Sequence, residues 1–171
     1  MKVVDIADEI YRDLGSPTDL SIAAISFWLR SHIGDLNNHI HTSYGINETT
    51  YEIEQEIDGS QVIITSSESS ILKKMYIVHY YDIKIRYNVG AAATDTVIEV
   101  SDGGSSVRKI NKNEVIKSLT SLKRQEYEEL QKLISGYKIS KSAPRQVAGD
   151  DTTEGKFGSG GGTYDRSQGL N

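Results

Sequence analysis

Along VVDIADEIYRDLG, Val3, Ile6, Ile10 and Leu14 recur every three or four residues with Asp and Glu between them. That spacing predicts a short amphipathic helix, stopped by Gly15. In the SPTD that follows, Ser16 suits a cap, Pro17 a first helical position and Asp19 the return contact of a capping box. The helix predicted from there runs to about Ile40. Its stripe is Ile22, Ile25, Leu29, Ile33, Leu36 and Ile40, widened by Phe27 and Trp28.

The rhythm then changes. From Tyr44 to Thr65, Tyr51, Ile53 and Ile57 alternate with acids, and Val62, Ile63 and Ile64 follow a DG turn signal. This reads as a loop with extended pieces and a weak hairpin. SSESS introduces a long helix from about Ser69 to Val89, apolar nearly all round, as expected of a helix buried centrally or shared between subunits. GAAA ends it. TVIEV, DGG and SVRKI form the clearest hairpin signal in the chain. Asn111 or Asn113 caps a last helix whose stripe is Val115, Leu119, Leu122, Leu130, Leu133 and Tyr137. Glu126 interrupts that stripe, Arg124 and Glu128 pair on its outer side, and Gly136 and Pro144 mark its end.

These elements predict a mainly α fold: a four-helix bundle with a β-hairpin inserted between the third and fourth helices, and an extended C-terminal tail. The helical domain is expected over residues 1–138, with the hairpin at about 94–110. Residues 139–171 are the tail. RQVAGDDTTEGKFGSGGG within it cannot bury enough apolar area to offset its chain entropy, so order there requires a partner.

Composition narrows the function. The chain has 171 residues, 24 acids against 19 bases and a net charge of −5, a balance opposed to tight wrapping of nucleic acid. The absence of cysteine excludes disulfides and thiolate metal sites. The apolar runs are far too short for a membrane span, and the first ten residues lack the apolar region of a secretory signal. A soluble protein of the cytoplasm, or of something assembled there, is expected.

Motifs for chemistry are sparse. His32, His39 and His41 crowd in SHIGDLNNHIH, but His41 points away from the other two and the zinc-binding H-x-x-x-H spacing is missing. A metal-dependent hydrolase using His32, His39 and Asp35 is therefore a remote alternative. His79, in MYIVHYYD, reads as a buried imidazole bonded to a tyrosine or to Asp82. Tyr76, Tyr80, Tyr81 and Tyr87 at helical spacing fill a core or an interface. GSGGG lacks the flanking strand, helix and lysine of a phosphate cradle. Basic residues in VRKINKNEVIKSLTSLKR read as a solvated face. No catalytic residue, cofactor or metal is expected, and the chain is read as a non-enzyme.

The stretches IADEIYRDLGSPTDLSIAAISFWLRSHIGDLNNHI and YDIKIRYNVGAAATDTVIEVSDGGSSVRKINKNEV resemble the head–tail connector (adaptor) proteins of tailed bacteriophages. The resemblance covers about Val3 to Asp150 and rests on general likeness and on the helix–hairpin–helix order. It implies a structural virion protein, assembled in the host cytoplasm, in the neck below the portal. Such proteins form homo-oligomeric rings, usually of twelve copies, that bind the portal and the next neck or tail ring. Genomic DNA passes through without sequence-specific binding, and no membrane is involved. Carried onto this chain, the resemblance makes Val147, Phe157, Tyr164 and Leu170 candidate portal-docking anchors of the tail. Phe27, Trp28, Tyr76, Tyr80 and Tyr81 become candidate subunit-interface residues. Glu52, Glu54 and Glu56, or conversely Lys109 and Lys112, become candidate channel-facing residues. The alternatives are another neck ring (a stopper or tail-completion protein) and a cellular helical module that captures a partner through its tail.

Overall fold

The computed structural model describes residues 1–94, 99–102, 105–108 and 112–142, with side chains at 1–90 and 113–142. Its compact unit spans Met1–Ser140. Five helices and two small antiparallel sheets make up the described residues, so the fold is mainly helical.

Helix α1 (Val3–Asp13) buries Val3, Ile6 and Ile10 of the predicted stripe together with Ala7, Leu14 is its partly buried C-cap, and Gly15 turns the chain at φ +78°. The next helix begins later than SPTD suggests. Helix α2 is Ile22–Ser31, and Ser21, not Ser16, caps it by accepting from the Ala24 N–H at 3.2 Å. Ser16 sits at φ +53° in a turn and cannot cap, while Asp19 pairs with Lys84. Ser21→Ala is accordingly expected to cost about 1 kcal/mol in chemical denaturation. Ser16→Ala should fall within roughly 0.5 kcal/mol of wild type, and equal losses at both positions would contradict this cap.

A single helix to Ile40 is also corrected. The chain breaks at His32 (φ −111°, ψ 13°), and α3 (Ile33–Ile40) follows. The cause is local: the His32 imidazole donates from Nδ1 to the Trp28 carbonyl oxygen at 2.8 Å and lies flat on the Trp28 indole. The apolar set survives the break, because Ile25, Leu29, Ile33, Leu36 and Ile40 are all buried.

The acidic stretch forms a defined sheet of β1 (Gly45–Ile46), β2 (Ile53–Ile57) and β3 (Ser60–Ile63), in that order. Ile57 pairs with Ser60 across Asp58 and Gly59, both at positive φ, as a two-residue hairpin turn requires. Met1 and Val3 bond to the backbone of Ile53 and Tyr51, tying the chain start to β2.

Helix α4 (Ser66–Thr94) starts three residues before the expected Ser69 and runs through Gly90. Strands β4 (Glu99–Asp102) and β5 (Ser105–Arg108) lie within the predicted hairpin. Helix α5 (Lys112–Ser142) continues past Gly136. Its buried positions are Leu130 and Ile134, with Tyr137 partly covered. Leu130 and Tyr137 thus lie on the predicted stripe, while Leu122 and Leu133 are exposed and Ile134 takes the inward place expected of Leu133.

One core joins these elements. Ile6, Ile10, Ile25, Leu29, Leu36, Ile53, Ile71 and Leu72 are fully buried, and Leu130 and Ile134 close it from α5.

Candidate assembly surface

Helices α4 and α5 run antiparallel, in a register fixed by polar contacts. The Tyr137 hydroxyl donates to Glu68 at 2.9 Å, Lys74 reaches both Glu126 and Glu129, and Lys123 meets Asp82 at 2.6 Å. Burial pulls the Lys74 ammonium down, but its two carboxylate partners outweigh that and hold its pKa above the ordinary value. Glu126, which breaks the apolar stripe in the sequence, is thus a partner for Lys74. Arg124 and Glu128 do pair, at 3.0 Å.

The two halves of this helix pair differ. Near the core, α4 buries Ile71, Leu72, Met75 and Tyr76. Beyond Tyr76 no residue of α4 up to Gly90 is buried, and on α5 none is buried from Asn113 to Glu129. Yet this distal half is rich in large apolar groups. Ile77, Val78, Tyr80, Tyr81 and Ile85 are half-covered, and Ile83, Tyr87, Val89, Leu122 and Tyr127 are exposed. Ile83 and Tyr87, one turn apart, make an apolar ridge, with Tyr87 75% exposed. The ion pairs that hold α4 to α5 here are partly solvated, and such pairs contribute about 0–1 kcal/mol each.

The aromatic candidates separate by environment. Tyr76 is 3% exposed and packs in the protomer's own core, which removes it from any outer seam. Trp28 is half-buried against His32, His79 and Tyr76. Tyr80 packs on the core edge with the Lys84 ammonium 5.3 Å from its ring centre. Tyr81 is pushed up by burial and then by Glu126. Phe27 is 72% exposed on α2.

Glu54 and Glu56 alternate along β2 and share one face, which Glu52, bridged to Lys2 just before the strand, continues. Glu52 lies 3.7 Å from the Met1 ammonium, Glu54 accepts from the Asn47 amide at 2.8 Å, and Glu56 is exposed. Beside them Ser43, Asn47 and Gln61 line a shallow hollow of about 250 Å³. Lys109, Val147, Phe157, Tyr164 and Leu170 lie outside the described residues, as does the side chain of Lys112. Among the described residues no three His, Asp or Glu groups converge to hold a metal ion, and no helix is long and apolar enough to cross a membrane.

Two clusters escape the sequence reading. Glu68 is a buried carboxylate in the first turn of α4. It accepts from the Thr65 N–H at 3.0 Å and from the hydroxyls of Thr65, Tyr137 and Tyr44. The signal was present: Thr65-Ser-Ser-Glu68 is a capping box, with its return bond made. Burial, then the negative charge of Glu68, pushes Tyr44 up to about 12, and burial with the Glu68 hydrogen bond raises Tyr137 further. Burial also pushes Tyr76 up to about 12. The neutral phenols therefore belong to the folded state, whose stability should hold below about pH 10 and fall as pH rises towards 12. Absorbance titration of phenolate should show three tyrosines ionising together with loss of helicity. Their titration near pH 10 in the intact fold would refute it. The second cluster surrounds Trp28; its signal was the four-residue spacing from Trp28 to His32.

Comparison with known proteins returns no match: no family model, no curated protein and no solved structure matches the chain.

Proposed function

We propose that this chain is a structural, non-enzymatic ring component of a tailed-phage neck, joining the portal to the next neck or tail ring. The observation that carries this reading is the distal half of α4 and α5, where residues 77–90 and 113–129 hold thirteen large apolar residues and none is buried. Within a monomer such a surface is unfavourable, and contiguous apolar exposure marks an interaction site.

The area suits a modest contact with the next copy of the chain. Residues 77–90 of α4 and 113–129 of α5 extend about 21 Å and about 25 Å, and each helix is roughly 10 Å wide. Set against a different surface of the neighbouring copy, as ring closure requires, this face and its counterpart together cover about 900 Å², near the lower limit for a specific interface. A ring gives every copy two such contacts, so a modest single seam suffices. In this arrangement α2 and α3 act as one bent helix and complete a four-helix bundle with α1, α4 and α5. The β4–β5 hairpin stands between the two long helices. The acidic β2 face, with Glu52, Glu54 and Glu56, borders the DNA passage, where like charge discourages adhesion to phosphates. Val147, Phe157, Tyr164 and Leu170 serve as portal contacts beyond the bundle.

Native mass spectrometry and sedimentation of the full chain at rising concentration test the reading. The expected result is a closed ring, of twelve copies, that binds purified portal. A chain that stays monomeric at high concentration and has no affinity for portal overturns it.

A further inference from the structure

The cluster around Trp28 has a chemistry that ring assembly does not use. The Trp28 indole is enclosed by three rings. His32, at the break between α2 and α3, stacks on it at 4.0 Å and 13°, and His79 of α4 lies at 5.0 Å and 29°. Tyr76 meets it edge-on at 5.2 Å. The two imidazoles are 6.2 Å apart, and the indole Nε1 is buried with no hydrogen-bond partner. This contact joins the α2–α3 junction to α4 through two imidazoles, the side chain suited to a pH switch.

The structure assigns to Trp28, His32 and His79 the role of a pH-sensitive clasp: neutral imidazoles hold the α2–α3 junction against α4, and charging both of them releases it. The proposal stands independently of the ring reading.

The two histidines are not equivalent. His32 donates from Nδ1 to the Trp28 carbonyl and stacks on the indole face, which attracts a cation. His79 is held below its ordinary pKa by burial first and by His32 second; Asp82 works the other way and Arg86 adds to the lowering. Asp82 is no spare counter-ion, because Arg86 holds it at 2.8 Å and Lys123 of α5 at 2.6 Å. Tyr76, the remaining titratable group against the cluster, is neutral throughout this range. Charging both imidazoles places two cations on one indole. Since the folded pKa of His79 is lowered, closure is favoured above about pH 6.5 and is lost as pH falls below it.

The chain contains one tryptophan, so its fluorescence reports on this clasp alone. The full-length protein is titrated from about pH 8 to about pH 5, following emission maximum, acrylamide quenching and far-ultraviolet circular dichroism. The expected result is a red shift and roughly doubled quenching below about pH 6.5, with helicity retained. His79→Phe keeps the ring but cannot charge, and should abolish the shift. His79→Gln, neutral and polar, should do the same if the phenylalanine variant fails to fold, and His39→Gln should leave it intact. An emission maximum that stays put, even while intensity falls, means that protons bind without opening and overturns the proposal. So does an unchanged red shift in the folded His79 variant, or a red shift that appears only with loss of helicity.

Discussion

Replacing Ile83 and Tyr87 together with lysine should leave the helices intact and abolish self-association. Both side chains are largely exposed on the ridge of α4, so neither contributes to the protomer's own core. If the ridge is the centre of a seam between copies, two substitutions there should remove about 4 kcal/mol, roughly a thousand-fold in association constant. Sedimentation at a fixed concentration reads this as a shift from ring to monomer, with circular dichroism as the control for folding. A double variant that assembles at the wild-type concentration would place the seam elsewhere. Phe27→Ser, on the exposed face of α2, then becomes the next variant to sediment.

The second large effect is expected inside the protomer. Glu68→Ala removes the acceptor shared by the Thr65 backbone and hydroxyl, Tyr137 and Tyr44, at a residue 1% exposed. Leaving those donors unpaired and uncapping α4 should cost about 3 kcal/mol. For a domain of this size, that lowers the melting temperature by roughly 10 °C. Tyr137→Phe, which deletes the hydroxyl's bond to Glu68, should cost only about 1 kcal/mol. If Glu68→Ala melts with the wild type, the cluster is not what fixes α5 to the start of α4.

How legible this was in the sequence varied with the kind of interaction. Local periodicity gave α1 and the buried positions Ile25, Leu29, Ile33, Leu36 and Ile40, because each is decided by which face meets the core. The DGG hairpin was equally plain, since turn chemistry is local. The break at His32 was hidden because an imidazole that binds the carbonyl four residues back leaves the apolar spacing undisturbed. On α5 the predicted Leu130 is buried and Tyr137 partly covered, but the apolar residues form two adjacent lines, and only packing against the core selects Ile134 over Leu133. Glu68 and Lys74 depend on partners more than fifty residues away, and no window along the chain brings those together. The unburied distal half was anticipated only as a helix without a polar face; where coverage stops required coordinates.

Helix α4 passes from buried to partly covered surroundings without a break. About 16 Å of it, Ser66 to Tyr76, is seated in the core, and about 21 Å continues from Ile77 to Gly90, where His79 against Trp28, Asp82 against Lys123 and Lys84 against Asp19 hold it from the side. A load on the outer end therefore reaches two solvated ion pairs before it reaches Glu68 and Tyr137, so the helix yields first where its grip is electrostatic and last at its capped start.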